Sequence, residues 1–536
     1  QQQALQHIHA KLSAPDGRPI LLHGVTGSGK TEVYMQATRS ILEQNKSALI
    51  LTPEISLTGQ LVERFAARYP AQVAVLHSGL SDGERFDEWR RLSGGHARIA
   101  IGARSAVFAP LPQLGLIIVD EEHDTSYKQE ETPRYNARDV AIVRAHQNGA
   151  IVVLGSATPA LETFHHTQTG KYSLLSLPKR VEEKSLPHVT VIDQRNHATA
   201  AERVITTPLY KAIADRLERQ EQSLILMNRR GFASYIQCHD CGEVPQCIHC
   251  SVSLTYHRRA RVLKCHYCDF AQAAPSKCYT CKSVKIQPFG IGTQQVEESL
   301  KTLFPTARLA RMDRDTTRRK SAHQHILKRL RQGELDILVG TQMIAKGHDF
   351  PNITLVGVVT ADATLAIPDF RAPERLFQLL TQVAGRAGRG EVTGDVIIQT
   401  YRPDHYSVQF AKQHDFIGFY DDEIKRRQPV LYPPYTRLAR VILEGPNQER
   451  LQHVSHWIAE VLQHFVSDRH QQTMLGPAEA PISRLHDRYR WHFLLKATTS
   501  GALHQWLRAA LSQAESQRQQ LHGVRISVDI DPLSFI

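Results

Sequence analysis

The sequence has no long apolar run. No stretch approaches the ~18 consecutive apolar residues that predict a membrane-spanning helix, so nothing points to an integral membrane protein. The start of the chain lacks the pattern of a secretory signal peptide, and there is neither an internal repeat nor a low-complexity tract. These absences leave an ordinary globular chain, whose hydrophobic fraction of 41% allows sizeable cores.

Cysteine is absent outside one short segment. All eight cysteines lie between Cys238 and Cys281 in four C-x-x-C pairs. Disulfides in a secreted chain would more often be spread along the sequence, whereas close pairs are typical of metal ligands in a reducing compartment. Reactive dithiols, buried free thiols and an iron–sulfur cluster are the alternatives to a zinc site.

Charge and length set broad limits. The formal net charge of +12 and the pI of about 9.3 favour a polyanionic partner such as nucleic acid. Many basic cytosolic proteins have no such partner, so charge alone does not decide. At roughly 100–200 residues per domain, the length predicts about three to five domains.

Residues 1 to about 175, and a second stretch that begins at Ser223–Met227, alternate β-rich runs with helix-like segments. This pattern predicts two parallel α/β lobes with ligand sites at the carboxyl ends of strands. About 30 polar residues after Leu177 are expected to be irregular and to connect the two lobes. Leu431-Tyr-Pro-Pro-Tyr435 predicts a boundary before a small α+β domain, because two prolines end a helix. Strands are expected at Pro19–Leu22, Ala48–Leu51, Val73–Leu76, Ala97–Ile101, Leu116–Val119, Ile151–Leu154, Ser223–Met227, Ile337–Val339, Leu355–Thr360 and Asp395–Gln399.

A phosphate-binding loop is predicted between the strand Ile20–Leu22 and a helix at Glu32–Asn45, where the sequence fits G-x-x-x-x-G-K-[ST]. Backbone N–H groups and the helix N-terminus would surround the phosphates. Lys30 would contact the β- and γ-phosphates, and the Thr31 hydroxyl would hold Mg²⁺. A chance glycine-rich turn is the alternative. The residues predicted to bind nucleotide are Gly24, Val25, Thr26, Gly27, Ser28, Gly29, Lys30 and Thr31.

Two further segments carry groups suited to phosphoryl transfer. The apolar strand Leu116–Val119 leads into acids, of which Asp120 would hold Mg²⁺ and Glu121 would polarise the attacking water. In the second lobe, Gln382-Val-Ala-Gly-Arg-Ala-Gly-Arg389 is expected to place Arg386 and Arg389 on one helical face, where they would stabilise the transferring phosphoryl group. A solvated acidic turn and a basic surface helix are the respective alternatives.

In this order the motifs resemble superfamily 2 helicases, which bind ATP in the cleft between two RecA-like lobes. Residues 1 to about 435 further resemble the PriA family of bacterial replication-restart helicases. The segments that carry the resemblance are Lys30-Thr31, Thr52-Pro-Glu-Ile-Ser-Leu57, Asp120-Glu-Glu-His123, Gly155-Ser-Ala-Thr158, Leu226-Met-Asn-Arg-Arg-Gly-Phe-Ala233, Gly340-Thr-Gln-Met-Ile-Ala-Lys-Gly347, Gln382–Arg389 and the four C-x-x-C pairs.

The resemblance implies an α/β protein with two RecA-like parallel-sheet lobes, a Cys-rich zinc-binding insert in the second lobe and a small α+β C-terminal domain. It also implies ATP- and Mg²⁺-dependent 3′→5′ unwinding of DNA at stalled forks, followed by reloading of the replicative helicase. Partners would be single-stranded and forked DNA, single-stranded-DNA-binding protein and other primosome proteins, in the cytoplasm at the nucleoid. The expected segments are 1–175 (first lobe), 176–237 (linker and start of the second lobe), 238–288 (insert), 289–432 (second lobe) and 433–536 (C-terminal DNA- or partner-binding domain).

The chain departs from the family pattern in two places. PriA proteins carry two DNA-binding modules ahead of the motor, whereas only about 20 residues precede the phosphate loop here. Generic DNA binding without fork targeting is therefore expected, and Gln1 would be the trace of a glutamine motif that reads adenine. In the loop after the acidic box, which couples DNA to hydrolysis in the family, Pro133 replaces an expected tryptophan.

Eight thiolates would make two tetrahedral zinc sites. The spacing within Cys247–Cys268 is close to that of a zinc ribbon, which leaves the outer pairs for a second site, and the resemblance implies the same nesting. Nearby His239, His249 and His266 are expected at the surface rather than as ligands. The predicted sets are Cys238, Cys241, Cys278 and Cys281 (zinc 1), and Cys247, Cys250, Cys265 and Cys268 (zinc 2).

Contacts to DNA require cations and aromatic faces. Segments Gly102–Ser105 and Gln342–Lys346 match parts of helicases that line the DNA track. The segment Arg484–Trp491 interleaves cations with aromatics, and a solvated edge strand is its alternative reading. The predicted DNA contacts are Arg104, Tyr127, Arg134, Tyr135, Lys346, Arg488 and Arg490.

Two other functions compete with the DNA helicase. The motor motifs alone do not exclude an RNA helicase of the same superfamily, against which the PriA-like cysteine segment argues. A zinc scaffold that uses nucleotide only as a switch is the other, against which Lys30, Glu121 and Arg389 argue. ATP hydrolysis measured with DNA and with RNA separates the three.

Overall fold

The computed structural model describes residues 1–53, 55–181, 186–196, 204–227, 235–257, 260–289, 293–313, 322–341, 344, 352–388, 394–468 and 471–535. The chain divides into two compact units, Gln1–Leu186 with Ala345–Asp349, and Pro187–Ile344 with Phe350–Ile536. Within the described ranges, no helix is both long enough and apolar enough to cross a membrane.

The first unit is built on one parallel sheet. Its strands are β1 (Ile20–Gly24), β2 (Ser47–Leu51), β3 (Val73–Leu76), β4 (Ile99–Gly102), β5 (Leu114–Asp120), β6 (Ile151–Ser156) and β7 (Ser173–Leu177). They lie in the order β3-β4-β2-β5-β6-β1-β7. Its helices are α1 (Gln2–Ser13), α2 (Lys30–Glu43), α3 (Ile55–Arg68), α4 (Asp82–Ser93), α5 (Ala137–Asn148) and α6 (Leu161–Gln168).

The central strands of this sheet are buried along nearly their whole length, as continuous apolar runs covered on both faces require. Side chains of α1 and α2 pack with those of β1, β2, β5 and β6 in one core. Because all seven strands are parallel, their carboxyl ends meet at one edge. That edge brings together the phosphate loop after β1, the acids after β5 and the Gly155–Thr158 segment at the end of β6.

Four sheets are described in the second unit. Its strands are β8 (His188–Asp193), β9 (Gln222–Leu226), β10 (Tyr235–Cys238), β11 (Thr255–His257), β12 (Val262–Lys264), β13 (Ala271–Ala273), β14 (Ile286–Phe289), β15 (Leu309–Met312), β16 (Ile337–Gly340), β17 (Ile353–Val358), β18 (Asp395–Thr400), β19 (Arg437–Gly445), β20 (Gln472–Leu485), β21 (Arg488–Ala497) and β22 (Arg525–Ile530). A parallel six-stranded sheet has the order β15-β16-β9-β17-β18-β8, and antiparallel sheets have the orders β10-β14, β11-β12-β13 and β20-β21-β19-β22.

Nine α-helices are described in the second unit. They are α7 (Thr207–Glu218), α8 (Thr293–Leu303), α9 (Ala322–Arg331), α10 (Asp362–Leu365), α11 (Ala372–Ala384), α12 (Tyr406–Lys412), α13 (Phe416–Arg427), α14 (Gln448–His464) and α15 (Ser500–Ser516). The eight cysteines lie between β9 and α8 in the sequence, so they belong to an insert within the second parallel-sheet lobe. The expected fold class, two parallel lobes with a Cys-rich insert and a small α+β domain, is confirmed.

The C-terminal sheet separates two cores. Along β19, Ala439, Val441 and Leu443 pack with α14 and α15, whereas Leu438 packs with the cysteine insert on the other face. This alternation follows from the two-residue period of a strand. The C-terminal domain and the insert therefore share a continuous apolar contact.

The connector after Leu177 was predicted wrongly as irregular throughout. Residues His188–Asp193 form β8, which pairs with β18 at the edge of the second sheet. An edge strand is partly exposed to solvent, so it does not need a continuous apolar run. This strand mixes polar with apolar residues, and the sequence pattern therefore did not predict it. The second parallel sheet therefore receives a strand from this segment, ahead of the strand predicted at Ser223–Met227.

The prediction that Arg386 and Arg389 share a helical face is not supported. Helix α11 ends at Ala384, and the chain turns through Gly385 toward Gly388, which has a φ of 64°. Arg386 therefore lies in a turn after the helix. Arg389 lies outside the described residues, as do Lys346, Glu54 and Asn228–Ala233.

Candidate functional site

The phosphate loop leads from β1 into α2. Gly27 and Gly29 have φ values of 82° and 84°, a left-handed conformation that glycine adopts without strain. The side chain of Lys30 is buried, and its Nζ donates to the carbonyl of Gly24 at 2.7 Å. The Ser28 hydroxyl is also buried, and no described residue is its hydrogen-bond partner. The loop thus presents a cation, an unsatisfied hydroxyl and a helix N-terminus, a donor set that fits phosphate.

Gln1 lies against this loop. Its Nε2 donates to the carbonyl of Ser28 at 2.9 Å. A Cβ at Gly29 would lie 2.0 Å from that nitrogen, so any other residue there would displace the Gln1 side chain. Gln1 is thus in contact with the phosphate loop, and its contact with adenine stays a prediction.

Asp120 ends β5 and is held by two tyrosines. The Tyr34 hydroxyl donates to Asp120 Oδ1 at 2.9 Å, and the Tyr127 hydroxyl donates to the Asp120 carbonyl at 2.6 Å. Burial and the neighbouring Glu121 raise the pKa of Asp120 to about 6, against the lowering effects of Lys30 and Tyr34. A carboxylate close to a lysine at a strand tip is a suitable ligand for Mg²⁺.

The two glutamates of the acidic box differ in environment. Glu121 has a φ of 46°, unusual for a non-glycine residue, and its Oε2 is buried without a hydrogen bond from any described residue. Glu122 is fully satisfied by the N–H of Ala160, the Thr163 hydroxyl and Arg138, at 2.8, 2.9 and 3.1 Å. Backbone strain of this kind clusters at functional sites. Glu121 is therefore the acid suited to polarise water, and Glu122 is a structural acid.

A hydrogen-bond chain joins the acidic box to β6. His123 Nδ1 and the Ser156 hydroxyl lie 2.7 Å apart, and the N–H of Thr158 donates to Ser156 Oγ at 2.9 Å. This contact brings together the Asp120–His123 and Gly155–Thr158 segments.

The predicted DNA contacts of the first unit lie in or against the loop that follows the acidic box. Arg104 donates to the carbonyls of Ser126 and Lys128 at 3.3 and 2.7 Å, so it holds the loop that follows the acidic box. Tyr127 is only 1% exposed, which argues against base stacking and corrects that expectation. Tyr135 contacts the exposed Phe108 edge-to-face at 5.1 Å.

Arg134, the remaining predicted contact of this loop, donates from Nε to the carbonyl of Glu130 at 2.8 Å.

In the second unit, Gln382 lies in the last turn of α11 and Arg386 follows it, both half-buried.

Arg488 and Arg490, the predicted DNA contacts of the C-terminal domain, form hydrogen bonds within that domain. Arg490 donates to Glu444 Oε1 and Arg488 to the Glu444 carbonyl, each at 3.1 Å. Both arginines lie on β21, which pairs with β20 and β19 and so is an inner strand, not an edge strand.

The eight cysteines form two clusters. Within each, the Sγ atoms all lie within 4.8 Å of one another. Four soft thiolate donors at this spacing fit a closed tetrahedral zinc site. The nested pairing predicted from the sequence is the one the structure shows. The clusters are Cys238, Cys241, Cys278 and Cys281, and Cys247, Cys250, Cys265 and Cys268.

Each C-x-x-C pair is shaped by the same turn. The N–H of the residue after the second cysteine donates to the carbonyl of the first cysteine at 2.8 to 3.2 Å. That residue has a positive φ in all four turns, between 51° and 76°. The shared backbone directs both thiols of a pair to one point. The four residues are Gly242, Ser251, Asp269 and Lys282.

Histidines near the clusters do not all lie at the surface. His249 is exposed, but His266 is fully buried, which corrects the expectation for that residue. His266 Nδ1 is 2.8 Å from the carbonyl of Glu479, and Lys264 pairs with the Glu479 carboxylate at 3.5 Å. These contacts join the insert to the C-terminal domain.

Four family models match the chain. The first unit matches the DEAD/DEAH box helicase model over residues 1–167, and the second matches the helicase conserved C-terminal domain over residues 282–391. The PriA DNA helicase Cys-rich region matches residues 247–272, and the primosomal protein N C-terminal domain matches residues 428–533. The two parallel sheets are therefore RecA-like helicase lobes.

Curated relatives are similar over almost the whole chain. Replication restart protein PriA of Bacillus subtilis is 48% identical over 99% of this chain and 66% of its own length. The proteins of that name from Synechocystis and Haemophilus influenzae are 44% and 43% identical, over 96% of this chain in each case and 62% and 69% of their own lengths. The chain thus spans about two thirds of the length of these curated relatives.

Proposed function

Because the chain belongs to the PriA family of replication restart proteins, we propose that it is an ATP-dependent DNA helicase that acts at stalled or repaired replication forks. It translocates 3′→5′ along single-stranded DNA and starts primosome assembly. Its partners are single-stranded and forked DNA, single-stranded-DNA-binding protein and other primosome proteins.

One observation carries the catalytic part of this proposal. A single helix, α2, supplies Lys30 to the phosphate loop and Tyr34 to Asp120, so one helix fixes the position of the cation relative to the acid. Phosphoryl transfer relies on positioning and charge stabilisation, which this arrangement provides.

Roles follow from these positions. Lys30 leaves the Gly24 carbonyl to contact the β- and γ-phosphates, and the loop N–H groups with Ser28 hold their oxygens. Thr31 and Asp120 would hold Mg²⁺, which would neutralise part of the phosphate charge. Glu121 orients the attacking water through its unsatisfied oxygen. Gln1 supports the loop from the adenine side.

The second lobe supplies the remaining charge. Arg389 and Arg386 stabilise the transferring phosphoryl group, and Gln382 assists them. Arginine suits this role because its planar guanidinium binds phosphate oxygens in pairs.

DNA binding combines several parts of the chain. Arg104 orders the loop after the acidic box, so it couples DNA to the Asp120 site as well as contacting phosphate. Arg134, Tyr135, Lys346, Arg488 and Arg490 supply further contacts. The zinc insert, 238–288, and the C-terminal domain, 433–536, form one body for DNA or partner proteins.

ATP hydrolysis tests the proposal. We expect turnover to be stimulated by single-stranded DNA and much less by RNA, and a duplex with a 3′ single-stranded tail to be unwound in preference to one with a 5′ tail. Stimulation by RNA alone would indicate an RNA helicase. Nucleotide binding without turnover would indicate the switched scaffold. The Lys30→Ala variant is the control for contaminating ATPases.

A further inference from the structure

Tyr34 is a buried residue outside every helicase motif recognised in the sequence. It lies in α2, four residues after Lys30, so both side chains project from one helical face. The phenol is 1% exposed, and its hydroxyl donates to Asp120 Oδ1 at 2.9 Å. A tyrosine from the helix of the phosphate loop thus restrains the carboxylate on a different element.

The neighbouring strand is shaped around this hydroxyl. Gly155 lies opposite Asp120 in the register of β5 and β6. A Cβ at Gly155 would fall 1.6 Å from the Tyr34 hydroxyl oxygen, far inside contact distance. The phenol therefore occupies the space that any other residue at position 155 would fill.

The backbone of Asp120 is held independently. The Tyr127 hydroxyl donates to its carbonyl at 2.6 Å, and β5 pairs on both sides, with β2 and β6. The backbone contacts leave the Asp120 carboxylate free to rotate, and the hydrogen bond from Tyr34 restrains that rotation. A hydrogen bond from a partner behind a metal ligand fixes ligand orientation in many metal sites.

We propose that Tyr34 is a positioning residue for magnesium in ATP hydrolysis, and that its hydroxyl orients Asp120 while Gly155 provides the room for it. The inference rests on the proposed ATPase function. It assigns to Tyr34 no contact with nucleotide. The hydroxyl raises the affinity of the nucleotide complex for Mg²⁺ without contributing to nucleotide binding in the absence of the metal.

The test is Tyr34→Phe, which removes the hydroxyl and retains the ring. We expect the Mg²⁺ concentration for half-maximal hydrolysis to rise on the order of tenfold, the usual scale for losing such a partner. The affinity for a fluorescent ADP should be unchanged in EDTA, and its increase on adding Mg²⁺ should require the same higher concentration. Binding is a readout independent of turnover.

Tyr69→Phe is the matched control, because the Tyr69 hydroxyl donates to the Met35 carbonyl at 2.6 Å in the same lobe, away from Asp120. Its Mg²⁺ midpoint should equal that of the unaltered protein. Gly155→Ala displaces the Tyr34 hydroxyl without removing it, and should shift the midpoint in the same direction as Tyr34→Phe.

The outcomes separate the two proposals. If the unaltered protein hydrolyses ATP with Mg²⁺ and Tyr34→Phe has the same midpoint, the role of Tyr34 is wrong and the ATPase assignment stands. An equal shift in Tyr69→Phe, or weaker ADP binding in EDTA, would also overturn it. If the unaltered protein shows no Mg²⁺-dependent hydrolysis, the proposed ATPase function is wrong, and so is the role of Tyr34 that rests on it.

Discussion

Lys30 is the residue on which the phosphate loop depends most. Its ammonium is buried and bonded to the Gly24 carbonyl, 2.7 Å away, so it is already held inside the loop. Lys30→Ala should abolish ATP hydrolysis, because it removes the cation that contacts the β- and γ-phosphates. Phosphate release measures the loss, while circular dichroism and zinc content should be unchanged. Substantial turnover in the purified variant would refute the assignment of this loop.

The adjacent Glu121 and Glu122 provide a matched pair. Glu121→Gln should slow turnover by about 10²-fold or more with little change in thermal stability, since it removes the base and no hydrogen bond from a described residue. Glu122→Gln should instead lower the free energy of unfolding by roughly 3 kcal/mol, because it leaves Arg138 without its buried carboxylate partner. Steady-state kinetics and thermal melts distinguish them. The reverse pattern would exchange their roles.

Sequence alone predicted the residues of the site whose roles are encoded locally. The loop spacing located Lys30, and the apolar strand located Asp120. Tyr34 and the burial of Glu122 were missed, because both depend on contacts across strands distant in sequence. The i, i+4 relation of Tyr34 to Lys30 was the one local signal that pointed to it.

At the scale of elements, the zinc insert depends on its four C-x-x-C turns. Each turn positions two thiols, but a site needs turns from two distant pairs, so binding energy is also folding energy. The purified chain should contain two zinc ions per molecule by elemental analysis. Cys247→Ser should lose the inner ion and keep the outer one, because the clusters share no cysteine. Loss of both ions, or the presence of iron, would contradict two independent zinc sites.

Central elements were predicted well and peripheral ones poorly. The central strands β2, β4, β5 and β6 were located within about two residues at each end, since buried parallel strands are continuous apolar runs. Among the edge strands, β3 was located because it is an unbroken apolar run, whereas β7 and β8 were missed because polar residues interrupt theirs. The end of α11 at Ala384 was also missed, since the glycines that follow were read as part of a helix.

At the scale of the whole molecule, the insert and the C-terminal domain share one core. Phe535 is 1% exposed and packs against Tyr267 and Phe370, at ring separations of 5.0 and 6.1 Å. Tyr267 lies between the zinc ligands Cys265 and Cys268, in the same cluster as Leu494 of β21. The inner zinc site is therefore supported by the last residues of the chain as well as by its own turns.

Phe535→Ala should consequently weaken the inner zinc site without touching a ligand. Removing a buried phenylalanine costs about 3–5 kcal/mol, and here the cavity would open beside Tyr267. The release of one zinc ion to a chromogenic chelator should become faster, while the second ion leaves at its usual rate. Phe493→Ala is the control, because Phe493 is equally buried but packs with α14 and α15 on the opposite face of the sheet. It should lower the melting temperature and leave zinc release unchanged below the melt. Equal acceleration in both variants would show that zinc retention follows the stability of the C-terminal domain in general, whereas no acceleration in Phe535→Ala would show that the turns alone hold the ion.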